Sequence, residues 1–200
     1  MAIKFQYNKT SLQVLNKQLQ IRVRALPTIK NKETALRVEV KKARDQAAML
    51  DRKLEEKIEA YEYMARLWAE FDPSLVTITD VELSVKKIAG VKTPVLDHIH
   101  FELKEFSLIS SPDWYMDGIS VLKELATVGI ERDFFYRKMH LLDHARKKTT
   151  QKVNLYEKVQ IPGYEEAILK IKRFLEDEEN LDKSSQKIVK NRQQQTEEIA

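Results

Sequence analysis

The stretch "TALRVEVKKARDQAAMLDRKLEEKI", residues 34–58, decides how this chain folds. Its apolar residues Leu36, Val40, Ala43, Ala47, Leu50, Leu54 and Ile58 recur at steps of three and four, with charged residues filling the gaps. That period places them on one face of a helix. The same register extends backwards through Ile29, Leu26, Leu19, Leu15 and Leu12, and forwards to Tyr61, Ala65 and Trp68; only Arg22 and Glu33 interrupt its apolar character. The mean spacing is about 3.5 residues, the repeat of a left-handed coiled coil rather than of a helix lying on a globular core.

A second register runs through Phe135, Met139, Leu142, Ala145, Thr149, Val153, Tyr156 and Val159, then Gly163, Ala167, Ile171, Phe174, Glu178, Leu181, Ser185 and Ile188. It contains an anomaly. Pro162 lacks the amide that would bond to the carbonyl of Lys158, and its ring crowds that carbonyl, at about 3 kcal/mol in a helix interior. Ser111-Pro112-Asp113 has the order of an N-cap, a proline at the first helical position and an acid in the first turn. Gly118 and Gly129 are candidate breaks beyond it.

Between the two registers the period changes to two. Val81, Leu83 and Val85 alternate with polar residues, as do Ile99, Phe101 and Leu103, and "KKIAGVKTPVL" supplies Gly90 and Pro94 as turn residues. This reads as a β-hairpin, after a short helical turn at Asp72-Pro73. The expected fold is mainly α: a long antiparallel two-helix coiled-coil hairpin with a small β-hairpin element in the middle. Its segments are a first helix at 1–71, a middle segment at 72–111, a second helix at 112–190 and a polar tail at 191–200. Because a lone two-stranded hairpin is marginal in water, it should lean on the helices through Val81, Leu83, Val85, Ile99, Phe101 and Leu103. Lys86, His98, His100 and Glu102 would then form its outer face.

Composition excludes several function classes. The 200 residues are 33% charged, with four glycines, five prolines and no cysteine. Globular domains carry about 25% charged residues. Without cysteine there is no disulfide framework, thiolate metal site or thiol nucleophile. The four glycines stand too far apart for a phosphate-binding loop. No apolar run approaches a membrane span and Met1 to Thr10 has no signal-peptide h-region, so the chain is expected to be cytosolic, or peripheral to a membrane that it does not cross. His140 and His144 are four apart, but that spacing without a third ligand describes a solvated helix face better than a metal site. Residues 1–50 hold 11 lysines and arginines against three acids. These bases interleave with an apolar stripe and no aromatic residue stands between Tyr7 and Tyr61, which argues against nucleic acid. No cofactor and no catalytic group is expected.

The C-terminal sequence "KKTTQKVNLYEKVQIPGYEEAILKIKRFLEDEENL" resembles the signature of the D subunit of the V-type and A-type rotary ATPases. The pattern is carried by Thr150, Val153, Asn154, Glu157, Ile161, Pro162, Ile168, Ile171, Lys172, Leu175 and Glu179. Gly90, Val91, Pro94 and Leu96 are similar to that family's hairpin turn, and "NKTSLQVLNKQL" matches its first helix more loosely. The stretch "RALPTIKNKETAL", with Pro27, departs from it. The resemblance implies a non-catalytic central rotor shaft that transmits torque between the catalytic ring and the membrane rotor. Its implied partners are the A and B subunits of the ring around the paired termini, a funnel-shaped adaptor at the hairpin end, and the F subunit on the shaft. A prefoldin-type chaperone and a passive coiled-coil scaffold are the alternatives.

Three site expectations follow. A pairing that sets Phe71 near Gly118 and Leu12 near Asp177 puts Pro27 opposite Pro162, so Pro27, Pro162 and Gly163 would bend both helices together. It also sets Lys41, Lys42 and Arg44 beside Arg146, Lys147 and Lys148, a basic belt for acidic partner groups. The hairpin, with Lys86, Gly90, Pro94, His98, His100 and Glu102, would couple the shaft to a neighbour.

Overall fold

A computed structural model describes residues 3–107 and 111–199, with side chains up to 194. Helix α1 spans Lys9–Ala60, strands β1 and β2 span Val76–Ile88 and Val91–Leu103, helix α2 spans Tyr115–Asn154 and helix α3 spans Ile161–Ile199. The chain is a long helical hairpin with a two-stranded antiparallel sheet in its middle. Part of the expected middle segment, residues 108–110, lies outside the described residues, as does Ala200 of the expected polar tail. Helix α2 starts at Tyr115 rather than Pro112 and passes Gly118 and Gly129 unbroken. At the other end α3 continues through the tail to Ile199. Two compact units emerge, Met1–Asn31 with Thr149–Ala200, and Lys32–Lys148.

In the unit of the two termini, Asn8 caps α1 by accepting from the Ser11 amide at 2.6 Å. Leu15, Ala167, Ile168 and Ile171 form a buried core, flanked by Leu12, Leu19, Tyr164 and Leu175. Leu26, Ile29, Val153 and Tyr156 are half-buried. Pro162-Gly163 does not break the helix. Instead Leu155–Gln160 is a π-turn, in which the Ile161 amide bonds to the Tyr156 carbonyl five residues back. The wider turn inserts one extra residue just before the proline, where an α-turn would meet its ring and its missing amide.

That insertion corrects the expected register. After Tyr156 the inward position falls on Gln160 and not on Val159, which is 40% exposed. Downstream, Leu175 turns inward while Phe174 stands outside against the Tyr7 ring at 4.9 Å. Leu181, expected in the core, is 68% exposed. At that level α3 has passed the start of α1 at Lys9, which shares a cleft with Glu178, Glu179 and Asp182.

In the second unit Leu36, Val40 and Leu142 form the core, and the hairpin tip covers it with Ala89 and Val91. Ala43, Ala47 and Leu50 are buried and Leu54 is half-buried. Ile58, expected in the core, is 55% exposed. Helix α1 ends two residues later, and the expected continuation to Trp68 is replaced by 3₁₀ turns at Glu62–Met64 and Leu67–Ala69. An aromatic cluster takes over there, with Trp114 between Trp68 and Phe71 at ring distances of 5.8 and 5.7 Å. The Tyr115 hydroxyl donates to the Glu70 carbonyl at 2.7 Å. The short turn expected after Asp72 is present at Pro73–Leu75, capped by Asp72 through the Ser74 amide.

Gly118 is fixed by this cluster. A Cβ added there would lie 2.9 Å from Cζ3 of Trp114 and 3.4 Å from Phe71, whereas one at Gly129 would meet nothing within 4 Å. Alanine gains up to about 1 kcal/mol over glycine in either helical site. At Gly118 overpacking of about 1–3 kcal/mol opposes that gain. Gly129→Ala should therefore raise the urea midpoint and Gly118→Ala lower it. Equal shifts in both variants would mean that the Trp114 ring moves aside freely.

The hairpin closes through Ala89-Gly90 alone, both at positive φ, 48° and 80°, the signature of a type I′ turn. Pro94, expected in the turn, instead lies within β2 opposite Val85, on a two-stranded sheet where a missing amide is tolerated. The packed face also differs from expectation. Near the tip Thr93 is fully buried and donates its hydroxyl to the Lys86 carbonyl at 2.8 Å, while Leu83, Val85 and Leu103 are exposed. Register shifts between Ile78 and Asp80 and between Glu82 and Leu83 interrupt the alternation. Each moves the side chains of one strand by a residue, so one face cannot be followed through them. Val81, Ile99 and Phe101 remain half-buried.

Candidate functional site

The densest polar contact in the unit of the termini is built on Arg22, one of the two residues that interrupt the first apolar register. Its Nε donates to Gln160 Oε1 at 2.7 Å, and Nη1 donates to the Gln18 carbonyl and side chain at 3.0 and 2.6 Å. The guanidinium carbon lies 4.6 Å from the Tyr164 ring centre and 5.9 Å from that of Tyr156. Two turns along α1, Lys30 pairs with Glu157 at 2.7 Å. Three of these partners, Tyr156, Glu157 and Gln160, belong to the π-turn. The wide turn is thus latched to α1 from two levels.

These contacts also set the levels of the prolines. Gln160 meets Arg22 and Glu157 meets Lys30, so Pro27 and Pro162 are staggered by roughly one to two helical turns rather than directly opposed. Pro27 is exposed and α1 runs through it.

The expected basic belt is arranged differently. Leu142 packs with Leu36 and Val40, which sets Arg146 nearer Leu36 than Arg44. Lys42 pairs with Glu39 on its own helix, and Arg146 and Lys147 pair with Asp143, at 3.1, 2.8 and 3.1 Å. Hydrogen bonds from Arg146 and then Lys147 hold the Asp143 carboxyl below the ordinary carboxylate range. Lys41 and Arg44 of α1 and Lys148 of α2 are exposed. On the hairpin, Lys86, His98, His100 and Glu102 are exposed, and His100 Nε2 lies 3.0 Å from Glu82 Oε1. His140 and His144 are exposed on α2. Among the described residues no group of three or more potential ligands could hold a metal ion, and no helix is long and apolar enough to cross a membrane.

The sequence model of one family, described as the D subunit of ATP synthase, matches residues 11–191. The chain belongs to that family. It is similar to the V-type ATP synthase D subunit of Borreliella burgdorferi, 29% identical over 178 residues that cover 88% of each chain. It is also similar to that of Chlamydia muridarum, 28% identical over 200 residues and 98% of each chain. Within this member of the family, Val153, Asn154, Glu157, Ile161 and Pro162 of the C-terminal motif converge on the π-turn. The motif drew attention to Pro162, but Arg22 and Gln160 entered only as a polar interruption and as an unremarked neighbour. A charged residue at an inward heptad position was the available signal.

Proposed function

We propose that this chain is the non-catalytic central-stalk rotor subunit of a V/A-type ion-translocating ATPase or ATP synthase, carrying torque between the catalytic ring and the membrane rotor. The observation that carries the reading is the match to the D-subunit family along nearly the whole pair of helices. The lateral ties support it: a twisting load rolls one helix against its neighbour, and Arg22–Gln160 and Lys30–Glu157 resist rolling where apolar contacts alone would slide. On this reading the A and B subunits of the ring surround the paired termini, the F subunit binds the helix pair and a funnel-shaped adaptor meets the hairpin end. The complex would place the chain on the cytoplasmic side, peripheral to the membrane.

The exposed polar face of the hairpin, with Lys86, His98, His100 and Glu102, is the proposed coupling contact. The test is reconstitution of the complex with His98, His100 and Glu102 all changed to alanine, substitutions that leave the packed face untouched. Ion pumping per ATP hydrolysed should fall at least severalfold while assembly is retained. Unchanged pumping per ATP would make the hairpin a connector. A complex that pumps normally with this chain left out would defeat the rotor assignment itself.

A further inference from the structure

The C-terminal helix carries two overlapping apolar stripes, and the π-turn decides which is buried. With the turn open, Gln160, Tyr164, Ile168 and Leu175 face α1. With it closed to an α-turn, the continuous 3.5-residue register would bring in Val159, Gly163 and Phe174, of which Val159 and Phe174 are now 40% and 44% exposed. The stripes differ by one residue, a rotation of α3 by about 100° about its own axis. Ala167 and Ile171, both buried, lie at the overlap and can serve either packing.

We propose that Leu155–Gln160 is a register switch, giving α3 two discrete packings against the start of α1, with Arg22 and Pro162 as its holding residues. Arg22 favours the open register, because its bond to Gln160 and its stacking on Tyr164 require those side chains inward, whereas its bonds to Gln18 lie within α1 and are indifferent to the switch. Pro162 opposes closure, since an α-turn there leaves the Lys158 carbonyl without its amide partner and crowds it with the ring. A third tie lies outside the seam, where Phe174 rests on Tyr7. Packed interfaces of this kind move between discrete arrangements rather than deforming continuously. The device belongs to the isolated chain and stands whether or not the chain is a rotor.

Because the chain has no native cysteine, introduced pairs can report the register in the full-length protein. Leu12→Cys with Leu175→Cys reports the open register, and Leu12→Cys with Phe174→Cys reports the closed one. In an otherwise unchanged chain the first pair should oxidise at least tenfold faster than the second. Adding Arg22→Ala and Pro162→Ala together should invert that preference, with far-ultraviolet helicity retained. Deleting Val159 from the doubly substituted chain removes the extra residue and should restore the first pair. An unchanged preference in the doubly substituted chain overturns the switch. So does loss of both cross-links there without recovery on deleting Val159.

Discussion

Leu142→Ala should lower the unfolding free energy of this protein by about 2–5 kcal/mol, the range for emptying a tightly packed leucine site. Leu142 and Leu36 both have no exposed surface, and Val40, Met139 and Ala145 close the site within the helix pair. The remaining wall is the hairpin tip, through Ala89 and Val91. Their hold on the helices is the cover that the tip provides to this core, so the cavity should loosen the tip as well as the pair. Amide exchange in Val85 to Val95 should accelerate along with that around Leu142. The control is Leu181→Ala, where 68% exposure predicts a change within about 0.5 kcal/mol. Urea unfolding measures both. A loss below about 1 kcal/mol for Leu142→Ala would mean that the site collapses and that the hairpin contact carries little.

Arg22→Ala should cost the unit of the termini about 2–3 kcal/mol. Hydrogen bonds to a charged group are worth about 1.5–3 kcal/mol each when net gains are counted. Stacking on an aromatic face adds about 0.5–1 kcal/mol at a partly exposed site. These terms share one side chain and do not add in full. Alanine would also leave the half-buried Gln160 amide without its Arg22 contact. Arg22→Lys should recover less than half of the loss, because an ammonium cannot hold Gln160 and Gln18 at once with the planar fork that also covers Tyr164. Full recovery by lysine would show that charge alone matters. Chemical denaturation together with amide exchange at 155–161 distinguishes these results, since loss of the latch should accelerate exchange within the π-turn first.

The antiparallel helices and the central hairpin were legible because each rests on a periodicity that side-chain burial enforces. Residues 34–50 show it best: Leu36, Val40, Ala43, Ala47 and Leu50 are all buried, since burying one stripe of a long charged helix leaves no other face to hide. The proximity of Phe71 to Gly118 also follows from an antiparallel pairing closed by a short hairpin. Three features belong to the tertiary structure. The π-turn shifts the inward stripe from Val159 to Gln160: the proline that it relieves is local, but the Arg22 bond that holds Gln160 inward joins residues 138 positions apart, which no local period contains. The end of α1 at Ala60 depends on the aromatic packing of Trp68, Phe71 and Trp114, which outweighs a heptad pattern that continues to Trp68. Which hairpin residues are buried depends on two register shifts, because each moves the apolar residues of one strand to the opposite face and so breaks the single apolar face that the alternation describes. The chain by itself determined that it would form paired helices around a hairpin; the phase of each element against its neighbour came from long-range contacts, because a one-residue shift costs little locally and exchanges every inward side chain.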